Sequence, residues 1–315
     1  MSKLTVIIPF LNEGEEVYNT VKNIRETADQ AIDIILTNDA STDGYDYRAV
    51  SEEFDTIYIE HSERQGVAAS RDEAVALCKT EYFLLLDAHM RFFQNDWVTI
   101  LLKELEKDKR ALLCCRSIVL GKNEQGEVTE TQKGSKAHGA YINFDDDNHS
   151  LSAKWSYYDP DPESEVVDIL CVLGAAYACN NAYWQYLKGL EGLRSYGYDE
   201  PLISIKVWLE GGKCKWLKHI GAGHIYRQTM PYAVENADTV YNRLLLAELF
   251  LDYERKQKIF KNAQLQNREI YKQAFELLKQ SYKMIVEQKK YYSEIFTREM
   301  SFVLEYNADF ARRQL

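Results

Sequence analysis

Short, continuous apolar runs alternate with stretches of helical spacing over the first 90 residues, and this pattern limits the fold more than any other feature of the chain. "LTVIIP" (4–9), "IDIILT" (32–37), "TIYIEH" (56–61) and "YFLLL" (82–86) read as buried strands. "FLNEGEEVYNTVKNIRET" and "GVAASRDEAVALCKT" read as helices between them. Strands that alternate with helices pair in parallel through right-handed crossovers, so their C-terminal ends share one edge of a sheet, where ligands bind. The expected class is α/β. Asn12, Asp39 and Asp87, which end three of these runs, are expected to meet in one crevice.

Beyond Lys122 the chain turns polar, and "KNEQGEVTETQKG" and "NFDDDNHS" read as exposed loops or hairpin edges. Apolar character resumes in "VVDILCVLGAAYAC". A helix is predicted over about 183–190, and a second over "DEPLISIKVWLEGG", closed by Gly211 and Gly212. After about Asn242 nearly everything reads as helix. There Tyr271, Phe275, Leu278, Tyr282, Ile285, Tyr292 and Phe296 form one apolar seam, for packing on the chain's own domain or for a homo-oligomer. These features divide the chain into a main domain, 1–253, and a helical C-terminal extension, 254–315.

With 46% hydrophobic residues in 315, the chain can fill a large core. Its net charge of −11 argues against nucleic acid or an anionic membrane as a broad partner. No run approaches the roughly 18 apolar residues of a transmembrane helix and no leader is evident, which makes a cytoplasmic location the expectation. Six cysteines without a CxxC pair read as buried free thiols.

The chemistry concentrates where the fourth strand stops. Burying a charge costs several kcal/mol unless it is paired or metal-bound, so the abrupt change from "YFLLL" to Asp87, Ala88 and His89 places these residues at a strand end. Residues two apart share a strand face, and a carboxylate with an imidazole suits a divalent cation such as manganese, leaving positions for phosphate oxygens. Asp147, Asn148 and His149 repeat the spacing in a polar loop and serve as a control. Asp39 is placed either to accept the imide N–H of a uracil base or to cap a turn. Arg71, at the start of a helix, reads as a base or phosphate contact or as a surface ion pair with Asp72 or Glu73. Asp199 and Glu200 open a helix, where the dipole favours carboxylates. His224 follows "GAG", whose small residues permit close backbone approach.

Together "VIIPFLNE", "NDAS", "DAH", "YGYDEPLISIKVWLEGG", "GHIYR" and "NRLLLAELFLD" occur in the order and approximate spacing of GT-A glycosyltransferases of the family 2 type, and the chain resembles more closely the polypeptide N-acetylgalactosaminyltransferases. The resemblance covers about residues 4–253. It implies a GT-A (Rossmann-like) mixed sheet flanked by helices and a metal-dependent transfer of sugar from UDP-sugar to a hydroxyl on protein or glycan. Asp87, His89 and His224 then become ligands of Mn2+ or Mg2+, with Asp39 on uracil, Arg71 on the donor nucleotide and Arg227 on phosphate. Tyr232 falls in a loop that closes over the donor, and Asp199 or Glu200 serves the acceptor. The resemblance favours a retaining over an inverting course. "DAHMRF" with Trp97 also resembles, over a shorter stretch, cytosolic N-acetylglucosaminyltransferases acting on hydroxyproline.

Departures from the family pattern bear on specificity. "YGYDE" stands where relatives have "WGGEN", and Ala175 and Ala176 stand for two glycines, where their methyl groups are expected to narrow the sugar pocket. Alternatives are a nucleotide-sugar binder without catalysis, and transfer to a modified nucleobase or a lipid carrier.

Overall fold

The computed structural model describes residues 2–122, 128–131, 137–145, 149–226 and 236–313. Its first half follows the expected alternation: β1 (Leu4–Phe10), α1 (Glu15–Thr27), β2 (Ile32–Asn38), α2 (Tyr47–Glu53), β3 (Ile57–Glu60), α3 (Val67–Leu77) and β4 (Tyr82–Leu86). The seven-residue α2, capped by Asp46, is the one element here that the apolar periodicity did not show. There follow β5 (Met90–Phe92), α4 (Trp97–Lys107), β6 (Ala111–Lys122), β7 (Val128–Glu130), β8 (Ala140–Ile142), β9 (Ala153–Trp155) and β10 (Val166–Asp168). The order continues with β11 (Ala176–Asn180), α5 (Asn181–Tyr186), α6 (Asp199–Glu210), β12 (Lys213–Ile225) and α7 (Ala237–Phe250). It closes with α8 (Tyr253–Gln266), α9 (Arg268–Gln280), α10 (Tyr282–Ile295) and α11 (Met300–Arg312).

One mixed sheet runs β10-β12-β6-β11-β4-β1-β2-β3, and β8 with β9 forms a separate hairpin. Strands β3, β2, β1 and β4 are parallel, whereas β11 is antiparallel to both β4 and β6. Strands β1 and β4 are buried along their whole length because both faces are covered, whereas β3, at the sheet edge, is partly exposed. Val6, Ile8, Leu84 and Leu86 face the layer of α1 and α4, while Ile7, Phe83 and Leu85 face that of α3, α6 and α7.

The C-terminal helices share this second layer's core: Ile259, Ala263, Leu278, Ile285, Val303 and Phe310 belong to the same apolar cluster as Ile203 and Leu244. The seam read as one stripe is divided at Ser281, between α9 and α10. Leu278 and Ile285 are buried, and Tyr282 faces solvent. All six cysteines are free and buried. Among the described residues no helix is long and apolar enough to cross a membrane.

Helix α11 also acts on β8. The Asn307 side chain accepts the Ile142 N–H at 2.8 Å and donates to the Ile142 carbonyl at 2.9 Å, as a neighbouring strand would. Replacing Asn307 by Leu would leave both backbone groups unpaired in a buried site. We expect a loss of about 2 kcal/mol, read as a lower urea midpoint, and an unchanged midpoint would show that the hairpin does not depend on this contact.

Candidate functional site

Strand β4 ends at Leu86, and a tight turn through Asp87, Ala88 and His89 leads directly into β5. Strand β5 then pairs antiparallel with β12, setting Met90 opposite His224, and the Ile225 N–H bonds the His89 carbonyl. Sheet pairing thus carries His224 to a turn 135 residues away. The glycines before it are required by packing: a Cβ at Gly223 would lie 2.7 Å from Leu120 and 2.8 Å from Phe93. One ligand atom each from Asp87, His89 and His224 falls within 4.8 Å of the others, a grouping that could hold a metal ion.

The protonation pattern fits a cation. His89 Nδ1 lies 3.1 Å from Glu13 Oε2, which fixes the proton on Nδ1 and leaves Nε2 as a lone pair. That lone pair faces His224 Nε2 at 3.0 Å, and His224 Nε2 is 3.6 Å from Asp87 Oδ2. Burial lowers the His89 pKa, which Asp87 only partly offsets. Burial alone would raise the Asp87 carboxyl, but the His224 hydrogen bond and the charges of Arg71 and the two histidines hold it well below the usual carboxylate range. An imidazole kept towards its neutral form, a second imidazole and a carboxylate held ionised converge on one point, a donor set that suits Mn2+ or a similar divalent ion.

Arg71 is buried inside the fold, which excludes the surface ion pair with Asp72 or Glu73. Its Nη2 donates to Asp87 Oδ1 at 3.0 Å, and its Nη1 donates to Asp199 Oδ2 at 2.9 Å and to the Tyr177 hydroxyl at 3.2 Å. Burial would lower its pKa, but Tyr177, Asp199, Asp87 and Glu200 raise it further above the ordinary value. Asp199, 3% exposed, has its carboxyl raised by burial against the pull of Arg71. Glu200 lies against Gly174, where a Cβ would sit 2.4 Å from its Oε1. Burial and the Asp199 charge push the Glu200 carboxyl up to about 7. The loop before α6 is held by Asn242 on α7, which accepts the Arg194 N–H at 2.8 Å and donates to the carbonyls of Arg194 and Gly197 at 2.8 and 3.1 Å.

The triad, Arg71, Asp199 and Glu200 line a cavity of about 760 Å³, together with Asp39, Ala175, His149, Trp155, Tyr226 and Arg243. Asp39 accepts backbone N–H bonds from Gln65 at 2.7 Å and Gly66 at 2.9 Å, so it also anchors the loop that starts α3. Asn12 is not among the lining residues; its side chain accepts the Thr42 N–H and ties the β1 and β2 loops together, which corrects its expected place in the crevice. Ala175 lines the cavity with a left-handed φ of 79°, while Ala176 is buried in β11 opposite Leu86, so one methyl group and not two faces the pocket. The control histidine, His149, also reaches the cavity wall but is not part of the triad. Asp147, Asn148, Arg227 and Tyr232 lie outside the described residues.

Residues 5–158 match the family model described as glycosyl transferase family 2. The structure superposes on a crystal structure of GalNAc-T7 with UDP, GalNAc and Mn2+ at a TM-score of 0.75, with 20% identity, over 97% of this chain and 56% of that one. This is a GT-A glycosyltransferase fold. A second GT-A neighbour, S. aureus TarS 1-349 in complex with UDP-GlcNAc, superposes at 0.55 with 12% identity over 98% and 89% of the two chains. Mouse polypeptide N-acetylgalactosaminyltransferase 6 is 25% identical over 269 residues, covering 80% of this chain and 42% of that protein. Human polypeptide N-acetylgalactosaminyltransferase 10 is 25% identical over 260 residues, with 79% and 42% covered. The chain therefore spans less than half the length of these relatives.

Sequence reasoning gave no role to Glu13, Tyr177 or Asn242. Glu13 had a usable signal, since it follows β1 at the same sheet edge as Asp39 and Asp87. Replacing Glu13 by Ala frees the His89 ring, and Mn2+ affinity measured by calorimetry should fall by about 10- to 100-fold. His149→Ala should leave it unchanged, and equal losses in the two variants would show that the triad is not the metal site.

Proposed function

We propose that the protein is a metal-dependent glycosyltransferase that moves a sugar from a UDP-sugar to a hydroxyl acceptor on a protein or glycan. The observation that carries this reading is the convergence of Asp87, His89 and His224 at a strand edge, the first two within the region that matches the family 2 model. Both superposed structures were determined with uridine nucleotides, which supports a uridine-linked donor. A divalent ion on the triad, Mn2+ or Mg2+, supplies Lewis-acid stabilisation of the negative charge that builds on the leaving diphosphate.

The chain's own residues divide the remaining work. Asp39 accepts the imide N–H of the base. Arg71, with both terminal nitrogens committed to Asp87 and Asp199, serves the donor by holding the ligand carboxylate in place. Arg227 and Tyr232 take the phosphate and loop-closing roles that the resemblance implies, and closure would exclude water from the donor. Glu200, beside Gly174, orients the acceptor hydroxyl, while Asp199 fixes Arg71. The resemblance supports retention of configuration, with the leaving UDP oxygen receiving the acceptor's proton. The high pKa of Glu200 favours a second reading, inversion with Glu200 as the general base.

The deciding experiment is UDP release across a panel of UDP-sugars, with Mn2+ or with chelator. Release from one sugar that depends on Mn2+ and disappears in His89→Ala and His224→Ala is the expected result; metal-independent release would overturn the assignment. The stereochemical readings separate on Glu200→Gln. Under inversion the transfer rate of the parent enzyme rises with pH through about 7 as Glu200 loses its proton, and the variant loses about 100-fold or more with that limb abolished. Under retention the limb persists in the variant, and the anomeric configuration of the product, read by NMR, matches the donor.

A further inference from the structure

Away from the metal triad, three ionisable side chains from successive elements form a line that ends at the base-reading carboxylate. His61, just past β3, has its Nε2 2.7 Å from Glu73 Oε2 on α3 and its Nδ1 2.9 Å from Asp39 Oδ1 just past β2. The imidazole is 9% exposed. Burial lowers its pKa, but the bonds to Asp39 and Glu73 and their charges outweigh this and raise it, as expected of an imidazolium donating from both nitrogens.

The consequence lies in how many donors Asp39 can still accept. A carboxylate offers about four lone-pair positions. Oδ1 takes the His61 Nδ1–H and the Gln65 N–H, and Oδ2 takes the Gly66 N–H. Among the described residues, one position on Oδ2 is left, in a residue that lines the cavity.

We infer that His61 is a positioning residue for base selection: by filling Oδ1 it restricts Asp39 to a single acceptor position, matched to the lone imide N–H of uracil. Cytosine presents a lone pair at the equivalent ring nitrogen and is repelled. Guanine presents two parallel N–H donors, which need both carboxylate oxygens open for a bidentate contact. Without His61, Oδ1 regains an acceptor position and the carboxylate is free to turn. The inference rests on the proposed use of a UDP-sugar and on Asp39 as the base contact.

The test is calorimetric binding of UDP, CDP and GDP to the full chain in the presence of Mn2+. His61→Leu should weaken UDP by about tenfold, the worth of one charge-assisted hydrogen bond, and should narrow the preference for UDP over GDP. His61→Asn, whose amide can place a donor near the Nδ1 position, should restore both. A merely structural role would weaken all three nucleotides alike and leave the ratio unmoved. Glu73→Leu, at a half-exposed position, removes the partner of Nε2 without touching Asp39, should narrow the ratio in the same direction, and carries the test if His61→Leu does not fold. A parental UDP-to-GDP ratio in the folded His61 or Glu73 variants, with Asp39→Asn still losing UDP affinity, overturns the role of His61 alone. Unchanged UDP affinity in Asp39→Asn removes the base contact, and this inference with it.

Discussion

The buried guanidinium of Arg71 is the interaction on which the centre of the molecule depends. Its two terminal nitrogens reach Asp87 at the end of β4 and Asp199 at the start of α6, so one planar fork fixes the distance between the metal edge and the acidic pair. Three carboxyl groups, those of Asp87, Asp199 and Glu200, gather around this cation in a site that water reaches poorly. Removing it would leave ionised groups buried without a partner, among the most destabilising changes a core can suffer. The same excess of negative charge makes the cavity receptive to a divalent cation.

The neighbours of Arg71 show why this was hard to read from sequence. Asp72 and Glu73 are adjacent in the chain and suggested a local ion pair, yet on a helix consecutive residues point in different directions. Asp72 turns to Trp184 and the Leu190 backbone, and Glu73 turns to His61. Partners more than a hundred residues away, Tyr177 and Asp199, occupy the face that Arg71 presents.

What was legible depended on whether the signal was local. Strands β1, β2 and β4 were visible because burial on both sheet faces leaves a near-continuous apolar run, and the polar residues ending those runs marked the ligand edge. Asp87 and His89 were found this way. His224 has no comparable local mark and entered through resemblance; in the structure it is placed by β5 pairing with β12. Asn12 obeyed the same edge rule but was claimed by a backbone N–H in the next loop. Ala176 was assigned to the pocket although the alternation of β11 turns it into the core. The seam across 271–296 does pack on the chain's own core, except at Tyr282, which opens α10 just past the break at Ser281 and faces solvent.

The β5–β12 pairing has a consequence for how the protein is made. The carboxylate that would read the base and the first two metal-site residues lie on one early stretch of chain, whereas the third comes from a strand that pairs only after β6 and β11 have been laid into the sheet. During synthesis the residues of β1 to β4 therefore leave the ribosome well before His224, which the three-donor set requires. The complete set of three donors forms only when the two halves of the sheet have joined. A cation held by all three donors would therefore report that this long-range strand pairing is already correct.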